Sequence, residues 1–237
     1  QTAGVSLTAQ QPEVNIVRTA LEALAGVLGG TQSLHTNSMD EVLALPTDKA
    51  ARIALRTQQV VAYESGVANV ADPLGGSWFV ETLTDEVEQQ AEAIFSRLDE
   101  WGEGSMLEGV LRAVEDNWFQ AEIADSAYQF QRKVATGRRV VVGVNAFTDG
   151  NDEAPPPTLQ IGPEVDEAQR KRLAAVHHAR SEAQVQAALS AVSATAAEPA
   201  ANLVPPVLDA VRAYATVGEI VAALASVFGR WAENPVV

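Results

Sequence analysis

The sequence predicts an α/β fold that passes into a mostly helical extension. Three observations carry this reading. Residues 13–28 have the apolar spacing of an amphipathic helix, the stretch TQSLHT behind two glycines is short and β-compatible, and a second helical pattern runs from Thr47 to Gly66. Helix, strand, helix is one slice of an alternating layered or barrel fold. One strand makes no sheet, so the slice needs a second chain or the rest of a longer polypeptide.

In the first helix Val14, Val17, Leu21, Leu24 and Leu28 recur at three- and four-residue spacing, Pro12 suits the first turn, and Gly29 and Gly30 end it. TQSLHT is then bounded by turn and cap residues and reads as a strand of about five residues. Asn37, Ser38 and Asp40 can cap the short turn that follows. The second helix places Ile53, Val60 and Val61 inward and stops at Gly66. DPLGGS is a turn cluster, WFVE a brief strand, and TDEVEQQAEAIFSRLDEWG a helix. Helices continue from Met106 to Gly137, and RRVVVGVN is a short β-branched run. Residues 148–158, TDGNDEAPPPT, are rich in Gly, Pro and acid and mark a linker between residues 1–147 and an alanine-rich helical segment, 159–237.

Composition narrows the function classes. The 237 residues with 47% hydrophobic content can bury a core as one large or two small domains. Sixteen Lys and Arg against 31 Asp and Glu leave a net charge of −15, which argues against sequence-independent binding to nucleic acid or an anionic membrane. The sequence holds no cysteine, which removes disulfides and thiolate chemistry, and its 3 histidines form no spaced metal set. No leader pattern and no long apolar run is present, and a cytoplasmic setting is the default expectation.

In an α/β barrel the C-terminal end of a strand and the loop after it build the site. That rule selects Gln32, Ser33, His35, Thr36, Asn37 and Glu41. Alternation would put Gln32, Leu34 and Thr36 on one face and Thr31, Ser33 and His35 on the other. Bulky aliphatics normally fill a barrel interior, so these polar groups either satisfy neighbouring backbone or meet a ligand. His35 has no paired carboxylate in sequence. DPLGGSW reads as a structural turn more readily than as a phosphate cradle, since GxxxxGK[ST] is absent. Asp85, Glu86 and Glu88 read as a solvated helix face, Trp118, Phe119, Tyr128 and Phe130 as core packing, and His177 and His178 as chemically silent.

Taken together, QTAGVSLTAQQP, NIVRTALEALAGVLGGTQSLHTNSMDEVLALPTDKAARIALRTQ, DPLGGSWFVETLTDEVE and VVGVN resemble the adenosylcobalamin-dependent acyl-CoA mutases of the methylmalonyl-CoA mutase family. The resemblance runs from Gln1 to about Asn145 and more loosely through AVRAYATVGEIVAALASVFG. It implies the C-terminal portion of a (β/α)8 TIM barrel followed by the helical extension, with the earlier strands and their reacting-carbon residues outside this chain. On its pattern, Gln32 and Ser33 would bind the acyl-CoA substrate, while Gly4, Glu41, Ala44 and Leu45 would approach adenosylcobalamin. The implied reaction is a radical 1,2-rearrangement of the carbon skeleton of a branched acyl-CoA.

Val5, Glu13, Val14 and Leu74 stand where the methylmalonyl branch carries other residues, and EDNWFQAEIADSAYQFQR is more similar to the large subunits of isobutyryl-CoA and 2-hydroxyisobutyryl-CoA mutases. The DxHxxG loop that ligates cobalt in the family is absent. The resemblance therefore implies a small cobalamin-binding subunit and the N-terminal barrel portion as partners in a hetero-oligomer, with this fragment inactive alone. The alternative from another class is a non-catalytic helical interaction module derived from that family.

Overall fold

A computed structural model describes residues 1–149, 151, 154 and 156–232. Positions 150, 152, 153 and 155 of the expected linker lie outside the described residues, so the linker reading rests on sequence. The chain forms two compact units that divide after Leu159.

The first unit opens with a 3-10 turn, Gly4–Ser6, and helix α1, Val14–Leu28. Helix α2, Asp48–Tyr63, packs on α1 and starts where the Thr47 hydroxyl accepts from the Ala50 N–H. That bond satisfies one of the orphan donors of a helix start. Gly66 sits at φ +73°, a left-handed position that glycine adopts without steric cost, and leads into the 3-10 turn Val67–Asn69. Helices α3, Trp78–Trp101, α4, Met106–Glu115, and α5, Trp118–Ala135, follow, with α4 packed on both neighbours. The α3/α4 crossing is tight because Gly109 lies against the Leu98 carbonyl. A Cβ there would fall 1.8 Å from that oxygen.

The second unit contains α6, Pro163–Ala179, α7, Glu182–Ala196, α8, Val204–Arg212, and α9, Val217–Phe228. Helix α7 packs on α8 and α9 around Val192, Ala210 and Ile220. Among the described residues only these three are buried in that cluster, and the core is correspondingly thin. A nearly buried guanidinium reinforces it: Arg180 donates to Glu219 Oε1 and Oε2 at 2.6 and 2.8 Å, to the Tyr214 carbonyl at 3.1 Å and to Glu182 Oε2 at 3.0 Å. Glu219 also forms a reciprocal cap with Thr216 at the start of α9.

Several local expectations need correction. The strand expected over TQSLHT is not formed; residues 32 and 33 bend, and no ladder pairs this stretch among the described residues. A strand exists through its hydrogen-bonded neighbours, and here one backbone bond, from Thr2 N–H to the His35 carbonyl at 3.0 Å, reaches it from residues 1–8. WFVE is the first turn of α3, not a strand. RRVVVGVN makes a tight turn with an isolated bridge between Val142 and Ala146. Val61 is buried as expected, but Val60 is 48% exposed. Tyr128 and Phe130 are exposed under Arg132 and Arg139 instead of packing in a core.

Candidate functional site

The best-buried part of the first unit is polar. Thr2, Asn15, Thr19, Thr36, Asn37, Ser38 and Asp40 are all buried, and they join residues 1–8, the inner face of α1 and the loop 36–47. Short side chains explain why this loop is ordered without regular structure. Hydroxyl, amide and carboxylate groups take over the backbone bonds that a helix or ladder would otherwise satisfy.

Three anchors hold the loop. At its start, the Thr36 hydroxyl donates to the Ala54 carbonyl at 2.7 Å, and Gln58 Nε2 donates to the Leu34 carbonyl and to Thr36 Oγ1, both at 3.1 Å. In the middle, the Thr2 hydroxyl donates to Asn37 Oδ1 and accepts from Asn37 N–H at 2.9 Å. At the end, Asp40 Oδ2 accepts from the Thr47 N–H at 3.0 Å and the Thr47 hydroxyl at 2.8 Å. Burial pushes the Asp40 carboxyl up, but the two Thr47 donors and Ser38 outweigh it and hold the group below its usual range.

These anchors bring Gly4 and Glu41 together. Asn37 Nδ2 donates to Glu41 Oε2 at 2.8 Å, and a Cβ on Gly4 would lie 3.3 Å from Asn37 Nδ2 and 3.8 Å from Glu41 Oε1. The Glu41 side chain is exposed and held by one neutral donor, so its carboxylate can accept from a ligand. Ala44 is half-buried and Leu45 59% exposed in the next turn, where the Ala44 N–H donates to the Asp40 carbonyl at 3.0 Å. A glycine, an acceptor and two apolar residues thus share one surface loop pair.

Gln32 and Ser33 do not join this group. Both are exposed; Gln32 Nε2 folds back to the Gly30 carbonyl at 3.2 Å, and the Ser33 carbonyl accepts from the Thr31 hydroxyl at 2.8 Å. His35 is exposed and is tied in through its backbone carbonyl. In DPLGGS the Gly76 N–H donates to Glu81 Oε1 at 2.9 Å, so the chain's own carboxylate takes the place a phosphate would need. Among the described residues no group of His, Asp or Glu could hold a metal ion, and no helix is long and apolar enough to cross a membrane.

Sequence reasoning missed Thr2, Asn15 and Arg18. The available signal was Asn15 and Thr19, one helical turn apart inside an otherwise apolar helix pattern, which marks a polar stripe facing something other than lipid-like core.

The family model described as methylmalonyl-CoA mutase matches residues 1–230. The chain belongs to the methylmalonyl-CoA mutase family. Within it, the chain is 43% identical over its full length to the 2-hydroxyisobutanoyl-CoA mutase large subunit of Aquincola tertiaricarbonis, covering 41% of that protein. It is 43% identical to the methylmalonyl-CoA mutase of Cereibacter sphaeroides, with 97% of this chain and 32% of the relative covered. Against the human mitochondrial methylmalonyl-CoA mutase it is 41% identical, with 99% and 30% covered. The chain therefore spans well under half the length of these family members.

Proposed function

We propose that this chain is part of the substrate-binding subunit of an adenosylcobalamin-dependent acyl-CoA mutase, an isomerase that rearranges the carbon skeleton of a branched acyl-CoA. The observation that carries the reading is the convergence of Gly4 and Glu41 on Asn37. Residues 1–147 are assigned to the end of a (β/α)8 barrel with its following helices, 148–158 to a linker and 159–237 to a helical extension. In the complete barrel, TQSLHT gains the neighbouring strand it lacks here and becomes the last strand.

The residues present fit the cofactor. Gly4 leaves room for close approach of a large planar ligand, since its position carries no Cβ in front of Asn37 and Glu41. Glu41 offers an acceptor suited to ribose hydroxyls, oriented by Asn37. Ala44 and Leu45 offer apolar contact that keeps water away. When bound, adenosylcobalamin supplies radical chemistry, a hydrogen abstraction and return that lets the thioester carbonyl group migrate. Gln32 and Ser33 are assigned to the acyl-CoA; both are exposed, and an amide and a hydroxyl can donate to it and accept from it. The cobalt ligand is assigned to a separate cobalamin-binding subunit, on the resemblance of residues 115–132 to stand-alone large subunits.

In the full-length protein, Glu41→Ala should weaken adenosylcobalamin binding by about tenfold while leaving acyl-CoA affinity nearly unchanged. Equal cofactor affinity in wild type and variant would overturn the ribose assignment. Gln32→Ala should instead raise the KM for acyl-CoA; unchanged KM and turnover together would remove Gln32 from the substrate site. With the small subunit and adenosylcobalamin added, the acyl group is decided by comparing turnover of isobutyryl-, 2-hydroxyisobutyryl- and methylmalonyl-CoA. The family resemblance of the α4–α5 sequence favours one of the first two.

A further inference from the structure

The Asn15 amide is fully buried and has no bonding capacity left. Its Oδ1 accepts from the Thr8 N–H at 3.0 Å and from Arg18 Nη1 at 2.7 Å, while Nδ2 donates to the Thr8 and Met39 carbonyls, both at 2.9 Å. Two donors and two acceptor positions are all an asparagine amide offers. Thr8 lies just beyond the Gly4 turn and Met39 just before Glu41. One side chain on α1 therefore ties the backbones of both segments that carry the proposed cofactor contacts.

Arg18, one helical turn along, extends the tie. Its Nη1 also donates to Thr8 Oγ1 at 3.0 Å, and Nη2 donates to the Val142 carbonyl at 2.8 Å. Val142 belongs to the tight turn in which Gly143 N–H bonds the Ala146 carbonyl at 2.8 Å. The far side of that turn is fastened to the bend that precedes α1 as well, since Gln11 Nε2 donates to the Phe147 carbonyl at 2.9 Å and the Asp149 carbonyl at 3.1 Å. Arg18 makes no ion pair among the described residues, although the chain is strongly acidic. It is used as a rigid planar fork with several donors on neutral acceptors, a role a lysine ammonium cannot fill.

We propose that Asn15 and Arg18 are positioning residues that couple the 141–149 turn to the Gly4 and Glu41 segments, so that the seating of this turn sets the cofactor-facing geometry. This rests on the assignment of Gly4 and Glu41 to the cofactor. The turn lies at the end of the first unit, so the coupling makes the cofactor loops responsive to whatever moves the chain there.

The test uses the full-length protein with Arg18→Lys, which keeps the charge and removes the fork, and Asn15→Asp as a second variant. Backbone amide exchange is followed segment by segment, and adenosylcobalamin and acyl-CoA affinities are titrated separately. Expected is faster exchange confined to residues 2–8, 39–47 and 141–149, with adenosylcobalamin affinity lower by about tenfold and acyl-CoA affinity retained. Wild-type exchange in Arg18→Lys would overturn the proposal. So would loosening spread evenly over α1 and α2 with equal loss of both ligands, the mark of a merely structural role. If Glu41→Ala leaves cofactor affinity intact while Arg18→Lys still loosens all three segments, the coupling stands and the cofactor assignment of Glu41 falls.

Discussion

Asp40 shows burial and hydrogen bonding pulling against each other on one carboxylate. Desolvation favours the neutral acid, and Thr47 and Ser38 favour the anion more strongly, so the folded pKa is depressed from its ordinary 3.8. A depressed carboxyl contributes stability that is complete above the unfolded pKa and is lost as pH falls through the folded value. Asp40→Ala should therefore cost about 1–3 kcal/mol at neutral pH, because it strands the two Thr47 donors. The difference between wild type and variant in urea midpoints should disappear in acid. In the second unit, the Arg180 fork and then the Thr216 N–H hold Glu219 down to about 2, and Glu219 in return raises Arg180. Its contribution should persist through mild acid and vanish only as pH falls through about 2. Thermal melts of wild type and Glu219→Gln that converge well above that pH would contradict the lock. Of these residues, Asp40 was legible as a polar group beside a turn, and Gly4 and Glu41 through family resemblance. Asn15 was not, because the apolar spacing of Val14, Val17 and Leu21 points to a different inward face, although the Asn15–Thr19 stripe one turn apart marks the buried one.

Between helices, the α3/α4 crossing depends on the absence of side chains. At Gly109 a methyl group would meet the Leu98 carbonyl at 1.8 Å, and at Gly102 the Ser105 carbonyl at 1.9 Å. Backbone cannot yield by that much, so Gly109→Ala should destabilise the first unit by about 3 kcal/mol, measured by denaturant unfolding. A neutral result would mean the helices stand further apart than described. Helices were the most legible elements: Pro12, Thr47 and the glycine stops put α1 and α2 near their observed ends, and Gly102 and Gly137 the ends of α3 and α5. The strand over TQSLHT was not, because strand propensity describes a segment that suits a sheet, and the sheet itself is supplied by other segments. WFVE failed for a related reason, since an aromatic β-branched run after a serine is equally a helix start once Ser77 takes the cap position.

Across the molecule, apolar periodicity marked faces that are covered by nothing described. In α1 the residues buried are Asn15, Thr19 and Ala23, whereas Val17 and Leu21 are 57% and 63% exposed. Helix α3 leaves Trp78 and Phe79 open in the same way. The pattern announced an apolar face that the described residues leave open; in the proposed function the N-terminal barrel portion would cover it. The 237-residue chain expressed alone should bind a hydrophobic dye strongly and self-associate in sedimentation, while the full-length protein should do neither. Weak dye binding by the isolated chain would mean that these faces close on themselves.

The saturated amide of Asn15 also fixes how the first unit tolerates change. With every donor and acceptor engaged, no other side chain of the same size reproduces its pattern: aspartate lacks the donors, leucine lacks both, and glutamine places them a carbon too far. Two positions away, Val17 touches little in this chain and admits almost any residue that keeps a helix. In a library covering α1, sequence freedom should therefore alternate along the helix, with position 15 nearly invariant among clones that keep residues 2–8 and 39–47 seated and position 17 drifting until the proposed N-terminal barrel portion is present to restrain it.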